Sequence, residues 1–112
     1  MDCIFCKIAA GKIPAEVVTE NNDLIVIKDI SPQAPVHLLV IPKEHHASIL
    51  DCADDRGLLG EMCAAAVEAA KKAGVDEKGF RIAINTNDEG GQTVSHLHMH
   101  VLGGRQLTGR LG

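Results

Sequence analysis

Three histidines alternate with apolar residues over a short stretch and are the clearest chemical signal in the chain. They are His96, His98 and His100, with Leu97 and Met99 between them. Six histidines scattered over 112 residues would give about 0.02 such triplets by chance. In a β-strand, residues i, i+2 and i+4 face one side of the sheet, so the spacing predicts three imidazoles on one face and apolar side chains in the core. Mutual repulsion favours at least one neutral ring near pH 7, which can bind metal or act as a nucleophile; a solvated polar face is the alternative.

A glycine-rich turn, Gly90-Gly91-Gln92-Thr93, comes shortly before the histidines. Glycine lets main-chain N–H groups approach an anion closely, which is how many phosphate-binding concavities are built. On its own, a Gly-Gly pair is typical of an ordinary hairpin turn. Its position close to three imidazoles favours a phosphate site.

Two cysteines, Cys3 and Cys6, form a Cys-x-x-Cys motif. The first residues show neither a signal peptide nor an apolar run long enough to span a membrane, so we expect a cytoplasmic protein with reduced thiols. A redox motif would need a strand before the first cysteine, and position 3 leaves no room for one. Zinc would need two further ligands, and an unmetallated pair of thiols is the alternative. The candidate ligands are His37, His45, His46 and His96.

Short aliphatic runs bounded by Asp, Asn or Pro predict strands at residues 24–28 and 36–41. The loop between them carries Pro32 and Pro35 and is too short for a helical crossover, so we expect these strands to pair antiparallel. Two more strand-like runs follow, at residues 80–85 and 95–102. The predicted order is a short N-terminal element, two strands, one main helix and two strands, which is an α+β fold with a mostly antiparallel sheet.

The main helix is predicted between the two pairs of strands, with Asp54 as its N-cap and Gly74 at its end. Its apolar face is inferred from residues that recur at spacings of one, three and four. These are Leu58, Leu59, Met62, Cys63, Ala66, Val67, Ala70 and Ala73. Cys63 is therefore expected to be a small core residue.

Length and composition fit a single domain of residues 1–112 with an aliphatic core. Apolar residues make up 46 % of the chain, but there is no Trp, no Tyr and only two Phe. So few aromatic rings disfavour stacking on single-stranded nucleic acid. A net charge of −4 without a basic block disfavours nucleic acid as a partner more generally.

The chain resembles the histidine triad family and, within it, the histidine triad nucleotide-binding protein branch. The alternating histidines at residues 96–102 are the family signature, and residues 29–37, 40–43, 90–94 and 102–105 also look like this branch. The resemblance covers essentially the whole chain. It implies the family's fold, a homodimer, and hydrolysis of the P–N bond of AMP-amine or AMP-lysine substrates through a covalent nucleotidyl-histidine. Two alternatives stay open: hydrolysis of dinucleoside polyphosphates, and a nucleotide-binding scaffold with incidental turnover.

By the same resemblance, His98 is the nucleophile, and His100, Thr93 and His37 complete the catalytic set. Thr93 stands where this branch usually carries serine, and its hydroxyl keeps the capacity to hydrogen-bond. Phe5, Ile8 and Ile27 would form the slot for the purine base, although core packing explains them as well. The full set of implied nucleotide contacts is Phe5, Ile8, Ile27, Asp29, Ile30, Asn85, Gly91, Gln92, Thr93, His98 and His100.

Histidine triad proteins that carry the Cys-x-x-Cys motif close a structural zinc site with two histidines. The resemblance implies Cys3, Cys6, His45 and His96 as the zinc ligands here. His96 would then support His98 rather than take part in the reaction. His46, to which no role is assigned, is expected to face solvent.

Overall fold

The computed structural model describes residues 3–112, and its centre is one antiparallel sheet of five strands. The strands are β1 (Val17–Glu20), β2 (Leu24–Lys28), β3 (Val36–Pro42), β4 (Phe80–Ala83) and β5 (Met99–Gly103), and the helices are α1 (Ile4–Ala9), a 3-10 helix (Ile49–Cys52) and α2 (Arg56–Lys72). The spatial order is β1-β2-β3-β5-β4, with every neighbouring pair antiparallel. The predicted α+β class, with one main helix and a mostly antiparallel sheet, is confirmed.

The pleat of the sheet separates two apolar layers. On one face, side chains of α2 pack on a core that includes Leu97, Met99 and Val101, as the alternation predicts. On the opposite face, Phe5 of α1 packs in a smaller cluster with Ile25, Ile27, Leu39 and Ile41. The register of β3 and β5 pairs Leu39 with His100 and His37 with Leu102, so both histidines project from the α1 face.

Helix α2 begins after its N-cap, Asp55, whose carboxylate accepts a hydrogen bond from the Leu58 N–H at 3.0 Å. The predicted cap, Asp54, is one residue too early. The helix is capped at its end by Ala73, and Gly74 follows at φ +74°, the left-handed conformation that favours glycine. No helix among residues 3–112 combines the length and the apolarity needed to cross a membrane.

The buried stripe of α2 is narrower than the predicted apolar face. It consists of Met62, Ala66, Ala69 and Ala70. Cys63 is exposed and Val67 is 43 % exposed, so their predicted place in the core is wrong. Each follows a buried residue by one position, which turns its side chain about 100° around the helix axis and away from the sheet.

The strands differ from the prediction in three places. Strand β1 is not predicted, because a four-residue edge strand with mixed exposure has no clear alternation. Strand β4 ends at Ala83, two residues before the predicted end at 85. Strand β5 begins at Met99 rather than at residue 95, because Pro42, opposite residue 97 in its register, has no N–H to continue the ladder.

The end of β5 is closely packed around two glycines. A Cβ on Gly103 would lie 3.1 Å from the Cβ of Val75. Gly104 has φ +91°, and a Cβ there would lie 2.9 Å from the Cβ of Pro35. Gly103 thus lies against the chain that follows α2, and Gly104 lies against the loop between β2 and β3.

Candidate active site and metal centre

The orientation of His98 is fixed by a main-chain carbonyl. Its Nδ1 lies 2.7 Å from the oxygen of His96, and because a carbonyl can only accept, Nδ1 carries the proton in the neutral ring. The lone pair of that ring is then on Nε2. His98 is 5 % exposed, and Phe5 packs edge-on against it with ring centroids 5.0 Å apart. The result is a nucleophilic nitrogen held in a defined, largely desolvated position.

His37 and His100 form a second imidazole pair beside His98. His37 Nε2 lies 2.9 Å from His100 Nδ1, and the ring centroids of His98 and His100 are 5.0 Å apart. Burial, followed by the neighbouring imidazoles of His98 and His37, lowers the pKa of His100 to about 4. Burial also lowers the pKa of His37, although the Asp29 carboxylate 3.3 Å away opposes that shift. Both rings are therefore neutral at pH 7.

Four sulfur and nitrogen donors meet beside the imidazoles, from Cys3, Cys6, His45 and His96, all within 4.8 Å of one another. His45 Nδ1 lies 3.1 Å from His96 Nδ1, Cys6 Sγ lies 3.2 Å from His45 Nδ1, and Cys3 Sγ lies 3.3 Å from His96 Nδ1. A tetrahedral zinc site with bonds of about 2.0 Å to nitrogen and 2.3 Å to sulfur has ligand–ligand edges of about 3.3–3.8 Å. Both the donor set and its spacing therefore suit a metal ion of this kind.

The cluster presents its histidine in the form that a metal needs. His96 Nε2 donates a hydrogen bond to Pro42 O at 2.7 Å, which turns the lone pair of Nδ1 toward the cysteines. Burial lowers the pKa of His96, so this ring is neutral. Burial and the adjacent Cys3 thiol raise the pKa of Cys6, so its thiol keeps its proton at neutral pH until a cation displaces it.

His96 belongs to the cluster and to the active site at once. Its ring faces the cysteines, while its carbonyl orients His98. Helix α1 forms a second connection, because Phe5 lies between the two cysteines in sequence and packs on the rings of His96 and His98, with centroids at 5.9 and 5.0 Å. The position of the His98 ring therefore depends on the order of this cluster.

Three of the side chains predicted to hold the base lie together on the α1 face. Phe5 and Ile27 are buried, and Ile8 packs against their cluster while remaining half-buried. Phe5 and Ile27 are thus core residues of the free protein, as the alternative allowed. Ile30 is 95 % exposed and lies outside this cluster.

Asp29, one of the predicted nucleotide contacts, lies directly after β2. One oxygen accepts a hydrogen bond from Ser31 N–H at 2.8 Å, and the other lies beside His37. The carboxylate is half-buried, which leaves part of it open to a ligand. Asn85 is half-buried two residues after β4.

The glycine-rich turn is more closed than a phosphate cradle. The N–H of Gly91 donates to Asp88 O and that of Gln92 to Asn87 O, both at 3.0 Å, so these donors are used within the turn. A Cβ on Gly90 would clash with the main chain of Thr86, which explains the first glycine by packing rather than by phosphate.

The side chain of Gln92 holds this turn in place. Its Nε2 donates to Ala47 O at 2.7 Å and to Val94 O at 2.9 Å, while its Oε1 accepts from the Asn87 N–H. Thr93 differs: it is exposed, and its N–H and hydroxyl make no hydrogen bond with residues 3–112. Among the residues predicted to border a phosphate, Thr93 therefore has an N–H and a hydroxyl that are not hydrogen-bonded within residues 3–112.

Sequence reasoning missed the main-chain groups of the site. The Gln33 N–H donates to His37 Nδ1 at 3.0 Å, and the carbonyls of Pro42 and His96 orient two imidazoles. Main-chain donors and acceptors are present at every position, so residue type gives no signal for them. His46 was expected to face solvent and is half-buried instead, because its carbonyl accepts the Leu97 N–H at 2.7 Å beside the cluster.

We predict that His100 destabilises the fold as the pH falls from 6.5 to 4. Its pKa is about 4 in the folded protein and 6.5 in an ordinary environment, so the unfolded chain binds more protons in this window and the free energy of unfolding decreases. Denaturant unfolding across the window should show a shallower pH dependence for His100→Gln, which cannot titrate there. An equal dependence in the two proteins would contradict the assignment to His100.

Comparison with known proteins places this geometry in a family, and residues 10–107 match the HIT domain family. The purine nucleoside phosphoramidase of Escherichia coli (strain K12) is 42 % identical over 107 residues, which cover 95 % of this chain and 90 % of that protein. A crystal structure of a HIT family hydrolase from Legionella pneumophila Philadelphia 1 has a TM-score of 0.95 at 49 % identity, covering 99 % of this chain and 100 % of that one. A Zn-bound histidine triad family protein from Mycobacterium smegmatis has a TM-score of 0.81 at 35 % identity, covering 94 % and 76 % of the two chains.

The matched range contains the sheet, α2 and the alternating histidines, and the resemblance predicted from the sequence motifs is confirmed. The chain belongs to the HIT domain family.

Proposed function

We propose that the protein hydrolyses the P–N bond of purine nucleoside phosphoramidates, in which AMP is joined through nitrogen to an amine or a lysine. The observation that carries this proposal is the hydrogen bond from His98 Nδ1 to His96 O, because it leaves Nε2 as the nucleophilic nitrogen. The E. coli relative, named a purine nucleoside phosphoramidase, supports the choice of substrate class at 42 % identity.

The reaction would proceed in two displacements at the α-phosphorus. In the first, a bond forms between His98 Nε2 and phosphorus while the P–N bond to the amine breaks, and the amine nitrogen takes up a proton as it leaves. In the second, water attacks phosphorus, the bond to Nε2 breaks, and AMP departs. Water therefore supplies the hydroxyl of AMP and, overall, the hydrogen of the amine. Splitting the displacement lets one site act on the leaving group and on water in turn.

The neighbouring polar groups suit a phosphate. His100 lies beside His98 and is neutral, so it can hydrogen-bond a phosphate oxygen or help to protonate the leaving amine. His37 supports His100 from 2.9 Å. Thr93 would contribute its free hydroxyl and N–H, whereas Gly91 and Gln92 would border the phosphate mainly by holding the turn.

The nucleoside would lie along the α1 face. The half-buried carboxylate of Asp29 can accept hydrogen bonds from both ribose hydroxyls. The apolar floor for the base would consist of Phe5, Ile8 and Ile27, and the base would also cover the exposed Ile30. Asn85 would contact the nucleotide from the end of β4.

The test is release of AMP from adenosine 5′-phosphoramidate, beside diadenosine tetraphosphate, by wild type and His98→Ala. We expect the wild type to cleave the phosphoramidate and the variant to lose about 10³-fold or more in kcat, as is usual when a covalent nucleophile is removed. Wild type denatured at alkaline pH during turnover should carry an adenylyl group on the peptide that contains His98, because a phosphorus–nitrogen bond to imidazole survives in base but hydrolyses in acid.

The controls separate the alternatives. Unfolding midpoints of the two proteins show whether His98→Ala remains folded. Preference for the dinucleotide would indicate a dinucleoside polyphosphate hydrolase instead. Nucleotide binding without turnover or adenylyl-enzyme in the wild type would indicate a nucleotide-binding scaffold.

We further propose that Cys3, Cys6, His45 and His96 hold one structural zinc ion. The supports are the donor distances of 3.1 to 3.5 Å, the lone pair of His96 Nδ1 turned into the cluster, and the Zn-bound relative. A bound zinc ion would supply folding free energy by fastening α1 to the segment before β5.

Zinc content by elemental analysis should be close to one ion per chain for the wild type and strongly reduced for Cys6→Ser. Cys63→Ser, which changes an exposed cysteine on α2, is the matched control and should keep its zinc. A chelator should lower the unfolding temperature of the wild type and of Cys63→Ser but not that of Cys6→Ser. Equal zinc in all three proteins would rule out this ligand set.

We also propose that two copies associate through α2 and β4. Strand β4 lies at the edge of the sheet, with β5 as its only partner among residues 3–112. Ile82 on β4 and Val67 on α2 are 42 % and 43 % exposed, and Cys63 lies on the same side of the helix as Val67. A second copy would cover these exposed side chains and the open strand edge.

Sedimentation equilibrium should therefore find a dimer for the wild type and a monomer for the double variant Val67→Glu, Ile82→Glu, because two buried carboxylates per copy would oppose association. Lys12→Glu, an exposed change after α1, should remain dimeric. A dimeric double variant would place the contact elsewhere, and a monomeric wild type would contradict the assembly itself.

A further inference from the structure

The Gly-Gly-Arg segment at the end of β5 has no role in the proposed reaction, yet it contacts the loop that precedes β3. Arg105 Nη2 donates to Gln33 O at 3.1 Å, and Gly104 lies against Pro35. The N–H of Gln33 in turn donates to His37 Nδ1 at 3.0 Å. One residue of the loop thus joins the end of β5 to the imidazole pair.

The bond from Gln33 determines where the protons of both imidazoles lie. Because Nδ1 of His37 accepts, the neutral ring must carry its proton on Nε2. That Nε2–H donates to His100 Nδ1 at 2.9 Å, so neutral His100 also carries its proton on Nε2. His98 has the opposite tautomer, with its proton on Nδ1. At its Nε2 atom, His98 therefore presents a lone pair, whereas the adjacent His100 presents an N–H.

We propose that Arg105 and the main-chain N–H of Gln33 are positioning groups that fix the Nε2–H tautomer of His37 and His100, so that His100 presents a hydrogen-bond donor to a phosphate oxygen. The donation to a phosphate oxygen rests on the proposed function, whereas the tautomers do not. The guanidinium suits this task because it is a planar fork: Nη2 donates to Gln33 O while Nη1 donates to Gln106 O, both at 3.1 Å. It fastens Gln33 to the chain that continues from β5.

Among the charged and titratable groups around the pair, the Asp29 carboxylate favours the same tautomer of His37. His37 is faced by the Asp29 carboxylate and by His100, and His100 is faced by His98, His37 and Asp29. Asp29 Oδ2 lies 3.3 Å from Nε2 of His37, so it also favours a proton on that nitrogen. The N–H of Gln33 has a second effect, which Asp29 lacks. It occupies the lone pair of His37 Nδ1, so it disfavours protonation there and opposes the imidazolium form.

Long-range ¹H–¹⁵N spectra of the labelled protein, recorded without substrate, report the tautomer and the pKa of each histidine. In the wild type we expect Nε2–H for His37 and His100 and Nδ1–H for His98. Gln33→Pro removes the N–H, and Gln33→Ala removes only the side chain. In Gln33→Pro the pKa of His37 should rise by about one unit, the equivalent of one lost hydrogen bond, with Nδ1–H becoming populated. Gln33→Ala should match the wild type.

A second pair of variants leaves the loop's own main chain unchanged, in case proline prevents folding. Arg105→Ala should move the His37 resonances and pKa in the same direction, and Arg105→Lys, which keeps a donor for Gln33 O, should largely restore them. An Nδ1–H tautomer of His37 or His100 in the wild type overturns the proposal. So does a His37 that is unchanged in both Gln33→Pro and Arg105→Ala. A wild type without phosphoramidase activity would contradict the proposed function and leave these spectra as they are.

Discussion

The hydrogen bond from His98 Nδ1 to the carbonyl of His96 is the constraint on which the rest of the site depends. It joins two residues of the segment before β5, where the chain bends at residues 94–96 and enters the sheet at Met99. This segment is held at one end by the contacts of His96 with Pro42 and the cysteines, and at the other by the pairing of Met99 with Val40. The sheet and the cluster both serve to keep one imidazole in one orientation.

Burial accounts for most of the electrostatics of the site. It lowers the pKa of His37, His96 and His100, and the nearby imidazoles lower that of His100 further. Neutral imidazole rings can have different roles according to their tautomer, because each ring has one donor and one acceptor nitrogen. Charged imidazolium rings could not, since both nitrogens would then donate. Desolvation is therefore what allows neighbouring side chains of one type to have different chemical roles.

The alternation of the histidines was readable from sequence because a period of two depends only on strand geometry. The buried face of α2 was harder to predict, because Cys63 and Val67 are apolar enough to belong to a core. The packing of Met62 and Ala66 on the sheet decides which face is buried. Residue type also does not reveal that the N–H groups of Gly91 and Gln92 are already bonded within the glycine-rich turn. For the same reason, no sequence pattern indicates the N–H of Gln33 that faces His37.

The bend before β5 also limits how the length of the chain can vary. His96 is tied to Pro42 through its side chain, and Met99 is paired with Val40 in the sheet, so a fixed number of residues must bridge two fixed points. An inserted or deleted residue between them would break one of the two attachments and reverse the side of the sheet that each later side chain faces. The largely exposed chain after Arg105 pairs with no strand among residues 3–112; it is tied to β4 by the side chain of Arg81, which donates a hydrogen bond to Thr108 O. Changes of length can therefore accumulate at that end of the molecule while the histidine spacing remains fixed.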